Sequence, residues 1–289
     1  MDNMTALVSA FVRAYHYRND TGRVFADPVA GKLLTDEEYA AISRRMAQGV
    51  SYFAPGFAGT EEEALRFIVE RQLALPVLAR SAFCERALGR AVERGCRQIA
   101  VFACGYDTFS LRTDIKELSV FELDRPEMIE DRQRRWDRAG LRPVCHTEYV
   151  GCDLAGDSWP QDLLRAGFRK DSPAFGSLLG LSYYLSEEEF RHLLGHTAEL
   201  WRAGSALCFD YPLAEGGRES QRTRELAAAA GERMKAAYSP GELETLLAET
   251  GFSVGEHLDA GEATAAFFGE YDCCMAAPAG VGYCLAVKR

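Results

Sequence analysis

A glycine and an acidic residue, spaced as in nucleotide-binding proteins, give the strongest chemical signal in this sequence. The apolar run 98–103 leads into Gly105, and Asp124 follows 19 positions later at the end of a second apolar run. Glycine has no Cβ atom, so a ligand can approach its backbone closely, and an acidic residue about 20 positions on is suited to binding ribose hydroxyl groups. We therefore predict a site for a nucleotide-like cofactor, although the sequence has one glycine here and not the three of G-x-G-x-x-G.

These residues also have structural alternatives. Gly105 is consistent with an ordinary strand-to-helix turn, and Asp124 is placed to cap a helix that begins at Pro126. Glu122 is the other acidic candidate for the ribose. We favour the ligand role for Asp124, and keep both alternatives open.

A third apolar run ends just before Asp153 and Leu154. An aspartate at the end of this run is suited to accept a hydrogen bond from an adenine amino group while Leu154 packs on the ring. Aspartate is also common in turns, so a structural role is the alternative.

The histidines and cysteines do not indicate a metal site. His192 and His196 are one helical turn apart, as metal ligands can be, but no acidic residue completes an HExxH motif and Arg191 adds positive charge. The nine cysteines are irregularly spaced without a CxxC pair, so we expect reduced thiols, with Cys273 and Cys274 in the core or a loop. We predict no metal.

Helices and strands alternate from residue 77 onward, which is typical of a mostly parallel sheet covered on both faces. Capping boxes predict helices after Thr60 and Ser186, and Pro76 should break or kink the first of them. No helix is expected between the last two strands, which are candidates for an antiparallel edge. The predicted strands are 98–103, 118–123, 144–150, 174–181, 205–211, 252–258 and 282–287.

Length and charge narrow the class of protein. The 289 residues suit one domain, with a helical cap over 1–75, an α/β core over 76–289 and a polar helical insert over 213–238. The net charge of −10 and the lack of a basic stretch argue against a nucleic-acid partner. No apolar run reaches the roughly 18 residues of a membrane span, and the N-terminus has no basic region of a signal peptide, so we expect a cytoplasmic protein without a membrane partner.

The order of these motifs resembles the leucine carboxyl methyltransferase family, and most closely its bacterial branch, which includes O-methyltransferases of polyketide biosynthesis. The resemblance covers nearly the whole chain. It is carried by Asp27-Pro28, Arg80, Gly105 to Thr108, Leu111-Arg112, Phe121 to Pro126 and Cys152 to Leu154. It implies a Rossmann-like fold, with seven strands, that binds S-adenosyl-L-methionine (SAM) and transfers its methyl group.

The resemblance also implies roles for individual residues. Arg80 would pair with the carboxylate of the methionine part of SAM, for which a guanidinium fork is suited. Gly105 would pass close to the methionine part, Asp124 would bind the ribose, and Asp153 and Leu154 would bind adenine. The other predicted cofactor contacts are Ala103, Asp107, Arg125 and His16. The family places a cationic residue near the N-terminus, and His16 stands at that position, with Arg13, Tyr17 and Arg18 as its neighbours.

Two positions depart from the family pattern. Ala103 stands where the family usually has glycine, and Leu179 stands where it commonly has glutamate. These departures leave open the alternative that the protein binds SAM but does not catalyse methyl transfer.

The resemblance implies an O-methyltransferase, and the lack of an obvious histidine base favours a carboxylate acceptor over a phenol. Its acceptor is expected to be a small carboxylic acid, or a hydroxyl group, in a polyketide or other secondary metabolite. The alternatives are a non-catalytic SAM-binding protein, a protein C-terminal carboxyl methyltransferase and a nicotinamide-dependent oxidoreductase. The sequence identifies no catalytic residue. Candidate walls of the acceptor pocket are Tyr15, His16, Tyr17, Tyr183, Tyr184 and Tyr211.

Overall fold

A seven-stranded sheet forms the centre of the protein, in the order β3-β2-β1-β4-β5-β7-β6. The structure is a computed structural model that describes residues 4–19, 24–215, 234–269 and 275–289. β1 to β5 pair in parallel, and β7 runs antiparallel to β5 and β6. The strands are β1 Gln98–Phe102, β2 Ser119–Asp124, β3 His146–Gly151, β4 Ala174–Leu178, β5 Ala206–Pro212, β6 Phe252–Leu258 and β7 Val281–Lys288. The predicted mostly parallel fold is confirmed, including the antiparallel pairing of the last two strands.

Helices cover both faces of this sheet. They are α1 Met4–Asn19, α2 Asp36–Gln48, α3 Val50–Phe53, α4 Glu61–Ile68, α5 Ala74–Glu93, α6 Phe109–Arg112, α7 Pro126–Arg138, α8 Trp159–Arg165, α9 Glu187–Leu200, α10 Pro240–Glu249 and α11 Ala260–Phe267. The capping boxes predicted at Thr60 and Ser186 are both formed. Each box satisfies N–H groups that a helix start leaves without a partner.

The burial of β1 shows why its sequence is almost wholly apolar. Ile99 and Val101 belong to an apolar cluster that includes the buried side chains of α5. Ala100 and Phe102 point the other way and belong to the cluster that includes those of α9. Successive side chains of a strand point to opposite faces, so a strand with helices on both sides has no solvent-facing position.

The strand order reverses at β1, which lies between β2 and β4. The connections that leave the carboxyl ends of β1 and β4 therefore run to opposite faces of the sheet. Open α/β sheets bind ligands in the crevice that this divergence leaves. The segment around Gly105 follows β1 and the segment around Leu179 follows β4, so both line such a crevice.

The helix after Thr60 is interrupted where Pro76 predicts an interruption. A π-helical segment, Val69–Leu73, separates α4 from α5, and Pro76 lies in the first turn of α5. Proline lacks an N–H group and its ring collides with the carbonyl group four residues earlier, so the preceding turn widens.

Two predictions about the C-terminal half have different outcomes. The absence of a helix between the last two strands is wrong, because α11 lies there and Asp259 caps it with a capping box. The predicted helical insert falls largely on residues 216–233, which lie outside the described residues. In the described ranges, no helix has both the length and the apolar character that a membrane span needs.

Candidate cofactor site

A cavity of about 440 Å³ lies at the carboxyl ends of β1 and β4. Its volume falls within the roughly 300–1,000 Å³ of typical ligand sites. Six of the predicted cofactor contacts line it together, and they are Arg80, Ala103, Gly105, Asp107, Asp124 and Arg125. These residues come from α5, from the segment after β1 and from the end of β2, so the fold brings together groups that are distant in sequence.

The segment after β1 has an unusual backbone conformation. Ala103 has φ 48° and Gly105 has φ 47°, and Ala103 is the only non-glycine residue with positive φ in the described part of the chain. The left-handed region costs an L-residue roughly 1–2 kcal/mol. This strain explains why glycine is the more suitable residue at position 103, and it places strained backbone in the cavity wall.

Asp124 links the segment after β1 to the end of β2. Its Oδ2 accepts a hydrogen bond of 2.8 Å from the N–H of Gly105, and its Oδ1 accepts one of 2.8 Å from the N–H of Arg125. Burial raises the pKa of this carboxyl group. Asp124 is not the cap of α7, because the N-cap residue is Arg125 and no side chain forms a cap bond.

Glu122, the alternative ribose ligand, is fully buried beneath the site and already paired. Arg132 donates to both of its carboxylate oxygens, at 2.8 and 2.7 Å, and the hydroxyl of Ser110 donates to it at 2.7 Å. Arg132 also donates to the carbonyl oxygen of Gly105 at 2.8 Å. The buried ion pair therefore supports the cavity wall. No sequence motif identified Arg132, whose role depends on the packing of α7 against β2.

Arg80 is loosely held at the opposite side of the cavity. Its Nη1 lies 3.4 Å from Asp210 Oδ2 and its Nη2 lies 3.4 Å from the hydroxyl of Ser9, both long for charged hydrogen bonds. Asp210 has better partners, since the N–H of Gly180 donates to it at 2.7 Å and the hydroxyl of Tyr183 at 2.9 Å. The guanidinium group of Arg80 thus has donors to offer a ligand.

Gly180 allows Arg80 to occupy this position. A Cβ atom at Gly180 would lie 2.6 Å from Arg80 Nη1, and the residue has φ +70°. Both the space and the backbone conformation require glycine here. Gly180 and Asp210 were not identified from the sequence, because each acts through contacts with distant segments.

At the N-terminal side of the site, Arg13 and not His16 lines the cavity. Arg13 donates to Asp27 Oδ2 at 2.9 Å and to the carbonyl oxygen of Tyr106 at 2.6 Å. Burial alone would raise the pKa of Asp27, but Arg13, Arg112 and the hydroxyl of Thr108 outweigh it and lower that pKa.

His16 is buried outside the cavity lining, and its Nε2 accepts a hydrogen bond of 3.1 Å from the N–H of Val24. A cofactor role for His16 remains a prediction, and it is one that this placement does not favour. Arg13, one helical turn earlier, is the cationic residue that α1 presents to the cavity.

The predicted adenine contacts lie beside the cavity and not in its lining. Asp153 is exposed, and its Oδ1 accepts from the N–H of Ala155 at 3.0 Å, as in a turn. Leu154 packs against the apolar cluster under α9. The N–H of Cys152 donates to the carbonyl oxygen of Asp124 at 2.8 Å, so the segment is adjacent to the predicted ribose ligand. Their adenine role remains a prediction.

Of the candidate acceptor walls, all of them described residues, Tyr184 lines the cavity. Tyr183 donates to Asp210, and Tyr211 is fully buried with its hydroxyl 2.8 Å from His257 Nε2. Leu179, which stands where the family commonly has a glutamate, lines the same cavity.

Comparisons with known proteins identify the family of the chain. The family profile described as leucine carboxyl methyltransferase matches residues 6–198. A Bacillus subtilis (strain 168) protein named "Putative S-adenosyl-L-methionine-dependent methyltransferase YktD" is 33% identical over 299 aligned positions, which cover 99% of this chain and 98% of that protein. A Mycobacterium marinum protein of similar name is 35% identical over 150 positions, or 50% of this chain and 48% of its own length.

Solved structures support the fold. A methyltransferase structure from Thermobifida fusca, itself named putative, has a TM-score of 0.58 and 15% identity, with 98% of this chain and 94% of that chain covered. A DUF574 family protein from Streptomyces avermitilis has a TM-score of 0.55 and 18% identity, with coverage of 84% and 97%. The profile match and the Bacillus relative extend over most of the chain, and the chain therefore belongs to the leucine carboxyl methyltransferase family.

Proposed function

We propose that this protein, a SAM-dependent methyltransferase, transfers the methyl group to a carboxylate oxygen of a small acidic molecule. A polyketide acid or another acid of secondary metabolism is the class of acceptor that the family resemblance favours. The proposal rests on the charge of the cavity and on the residues that its lining provides.

The residues present fit the cofactor. Arg80 offers donors that its own partners hold only at 3.4 Å, which suits an incoming carboxylate. Asp124 is held by two backbone N–H groups and keeps acceptor capacity for hydroxyl groups, because an ionised carboxylate has about four lone-pair sites. The strained segment from Ala103 to Gly105 forms part of the lining of the same cavity.

The observation that carries the choice of acceptor is the charge of the cavity lining. Four basic side chains line the cavity against two acidic ones, Asp107 and Asp124, although the whole chain has a net charge of −10. The basic residues are Arg13, Arg80, Arg125 and Lys235. Arg13 is paired with the buried Asp27 at 2.9 Å, and Lys235 is paired with Glu189 at 2.8 Å. The Lys235–Glu189 pair is partly exposed and contributes little free energy, so Lys235 and the exposed Arg125 are the basic side chains that can turn to an anionic acceptor.

The chemistry requires little from the protein beyond position and electrostatics. Bound SAM supplies an electrophilic methyl group, and the protein must hold the acceptor oxygen in line with it. A carboxylic acid has an ordinary pKa of about 4, so it is ionised at neutral pH and needs no base. No histidine occurs among the described residues of the lining, which suits such an acceptor better than a phenol with a pKa of about 10.

The experiment is incubation with SAM labelled in the methyl group and a panel of small carboxylic acids, phenols and peptides with free C-termini. Methyl esters release volatile methanol in alkali, whereas methyl ethers do not. We expect label in small acids and its release by alkali. Alkali-stable label, or label in peptides only, would overturn the proposed acceptor. Tight binding of S-adenosylhomocysteine (SAH) with no turnover on any acceptor would favour a non-catalytic SAM-binding protein, and NAD binding would favour an oxidoreductase.

A further inference from the structure

A cluster of two histidines and one aspartate lies on the surface, away from the cofactor cavity. His192 and His196 occupy one face of α9, with ring centroids 4.3 Å apart. The sequence showed this pair but no acidic residue in an HExxH arrangement with it. The fold adds an acidic partner, Asp157, from the connection between β3 and α8.

The three side chains converge on one point. Asp157 Oδ1 lies 2.9 Å from His192 Nε2 and 3.4 Å from His196 Nε2. One ligand atom from each residue lies within 4.8 Å of the others, and within the described ranges no other trio of His, Cys, Asp or Glu does so. Ligand atoms around a tetrahedral zinc ion with bonds of about 2.0–2.2 Å are roughly 3.3–3.6 Å apart. Small rotamer adjustments would therefore place all three on one ion.

The surroundings hold these ligands in place. Trp159, the first residue of α8, is fully buried and packs edge-on against the ring of His196, with centroids 6.0 Å apart at 88°. This contact fixes the start of α8, and hence Asp157, against α9. Glu199 Oε2 lies 3.9 Å from His196 Nδ1. A carboxylate that accepts a hydrogen bond from the far nitrogen of a ligating histidine is the usual outer partner in metal sites, and Glu199, which is exposed, would have to move closer to take that role.

We propose that Asp157, His192 and His196 form a binding site for a divalent transition metal ion of the zinc class. Imidazole and carboxylate ligands suit zinc, nickel and copper, whereas magnesium and calcium prefer oxygen ligands alone. Three protein ligands leave a fourth position for water or an external ligand. The ion would join the connection after β3 to α9. The large open groove beside the histidines shares no lining residue with the cofactor cavity, so the site does not depend on the proposed methyl transfer.

The test is calorimetric titration of the full chain, without a histidine tag and after removal of metal by a chelator, with Zn²⁺ alone. We expect about one ion per chain. His192→Ala, His196→Ala and Asp157→Asn should each weaken Zn²⁺ binding at least about tenfold. Loss of a residue that only hydrogen-bonds to a metal ligand already lowers metal affinity by about 10- to 100-fold, and loss of a ligand should cost no less. His146→Ala is the matched control, because that histidine is exposed and lies near Glu148 on β3. It should leave the affinity unchanged.

Thiols are the competing ligands. The seven cysteines that the structure describes are all buried. The other two, Cys273 and Cys274, lie outside the described residues, so the variant Cys273→Ser/Cys274→Ser tests whether thiols bind the ion. It should bind Zn²⁺ like the native chain. Thermal unfolding in chelator checks that each variant is folded, and Zn²⁺ should raise the Tm of the native chain but not that of Asp157→Asn. Equal affinity in the native chain and the three ligand variants, or loss of binding only with the two cysteines, would overturn the proposal.

Discussion

The two sides of the cofactor cavity are built differently. Beside β2, Asp124 is fixed by two backbone hydrogen bonds of 2.8 Å, and Arg132 ties the adjoining segment to the buried Glu122. Beside β4, Arg80 has two side-chain contacts, each of 3.4 Å. The side beside β2 is held in place by its own hydrogen bonds without a ligand, whereas Arg80 beside β4 has only long contacts and can form a stronger one with an anionic ligand. Substitutions beside β2 should therefore lower the stability of the protein, and substitutions of Arg80 should mainly lower its affinity for ligands that carry a carboxylate.

Removal of Arg132 should have the largest effect, because it breaks the support of the pre-formed side. Arg132→Met leaves Glu122 as a buried, unpaired charge, and we expect the free energy of unfolding to fall by about 3–5 kcal/mol in urea denaturation. The control is Glu122→Met/Arg132→Met, which leaves no charge and should recover much of the loss. Native-like stability of Arg132→Met would mean that the ion pair does not support the fold, and an equal loss in the single and double variants would mean that an unpaired charge is not its cause.

Substitution of the two proposed ligand-binding side chains should come next. Arg80→Ala and Asp124→Ala should each weaken SAH binding by about 10- to 150-fold, since a hydrogen bond to a charged group contributes roughly 1.5–3 kcal/mol. The SAH affinity of Arg80→Lys should lie between those of the native chain and Arg80→Ala, because lysine keeps the positive charge but loses the two parallel donors of the guanidinium group. Calorimetry gives the dissociation constants. Arg165→Ala, an exposed arginine on α8, is the control, and an effect as large there would contradict a specific site.

A smaller effect is expected from Gly180→Ala. The new Cβ atom would displace the guanidinium group of Arg80, and the positive φ adds roughly 1–2 kcal/mol of strain. Gly140→Ala is the matched control, because Gly140 also has positive φ (+64°) but has nothing within 4 Å of a new Cβ. Both variants should lose similar stability in urea, and only Gly180→Ala should bind SAH more weakly. Equal SAH affinity in the two would show that Arg80 does not need this space.

Ala103→Gly should have the smallest effect, and a favourable one. Glycine relieves about 1–2 kcal/mol of strain at φ 48° but increases the entropy of the unfolded chain by about 0.4–1 kcal/mol. We expect a net gain in the free energy of unfolding of about 0.8 kcal/mol in urea denaturation, with SAH affinity unchanged or higher. A loss of stability would mean that the methyl group of Ala103 makes packing contacts that outweigh the strain.

The parts of the site that could be predicted are those with local signals. The strands were found because β1 and β4 are buried at every position and so are almost wholly apolar. Gly105 and Asp124 were found because the ends of such strands mark where a ligand can reach the backbone. Arg80 has no local signal and was predicted only from the family resemblance.

The residues that were missed act over long distances in the sequence. Asp210 was missed because it contacts Arg80 across 130 positions, and only the folded sheet brings the two together. The choice between Arg13 and His16 depends on how α1 is rotated against the core, which a single-helix pattern does not fix. The short helix α11 was missed because it buries only Ala263 fully, so it shows no apolar periodicity.

The most direct test of the account compares SAH with 5′-methylthioadenosine, which keeps the adenosine part and lacks the amino-acid carboxylate. Calorimetry on native, Arg80→Ala and Asp124→Ala proteins gives six dissociation constants. If Arg80 pairs with the carboxylate and Asp124 with the ribose, Arg80→Ala should weaken only SAH, and Asp124→Ala should weaken both ligands by a similar factor. Equal weakening of methylthioadenosine by Arg80→Ala, or native-like binding of both ligands by Asp124→Ala, would contradict these assignments.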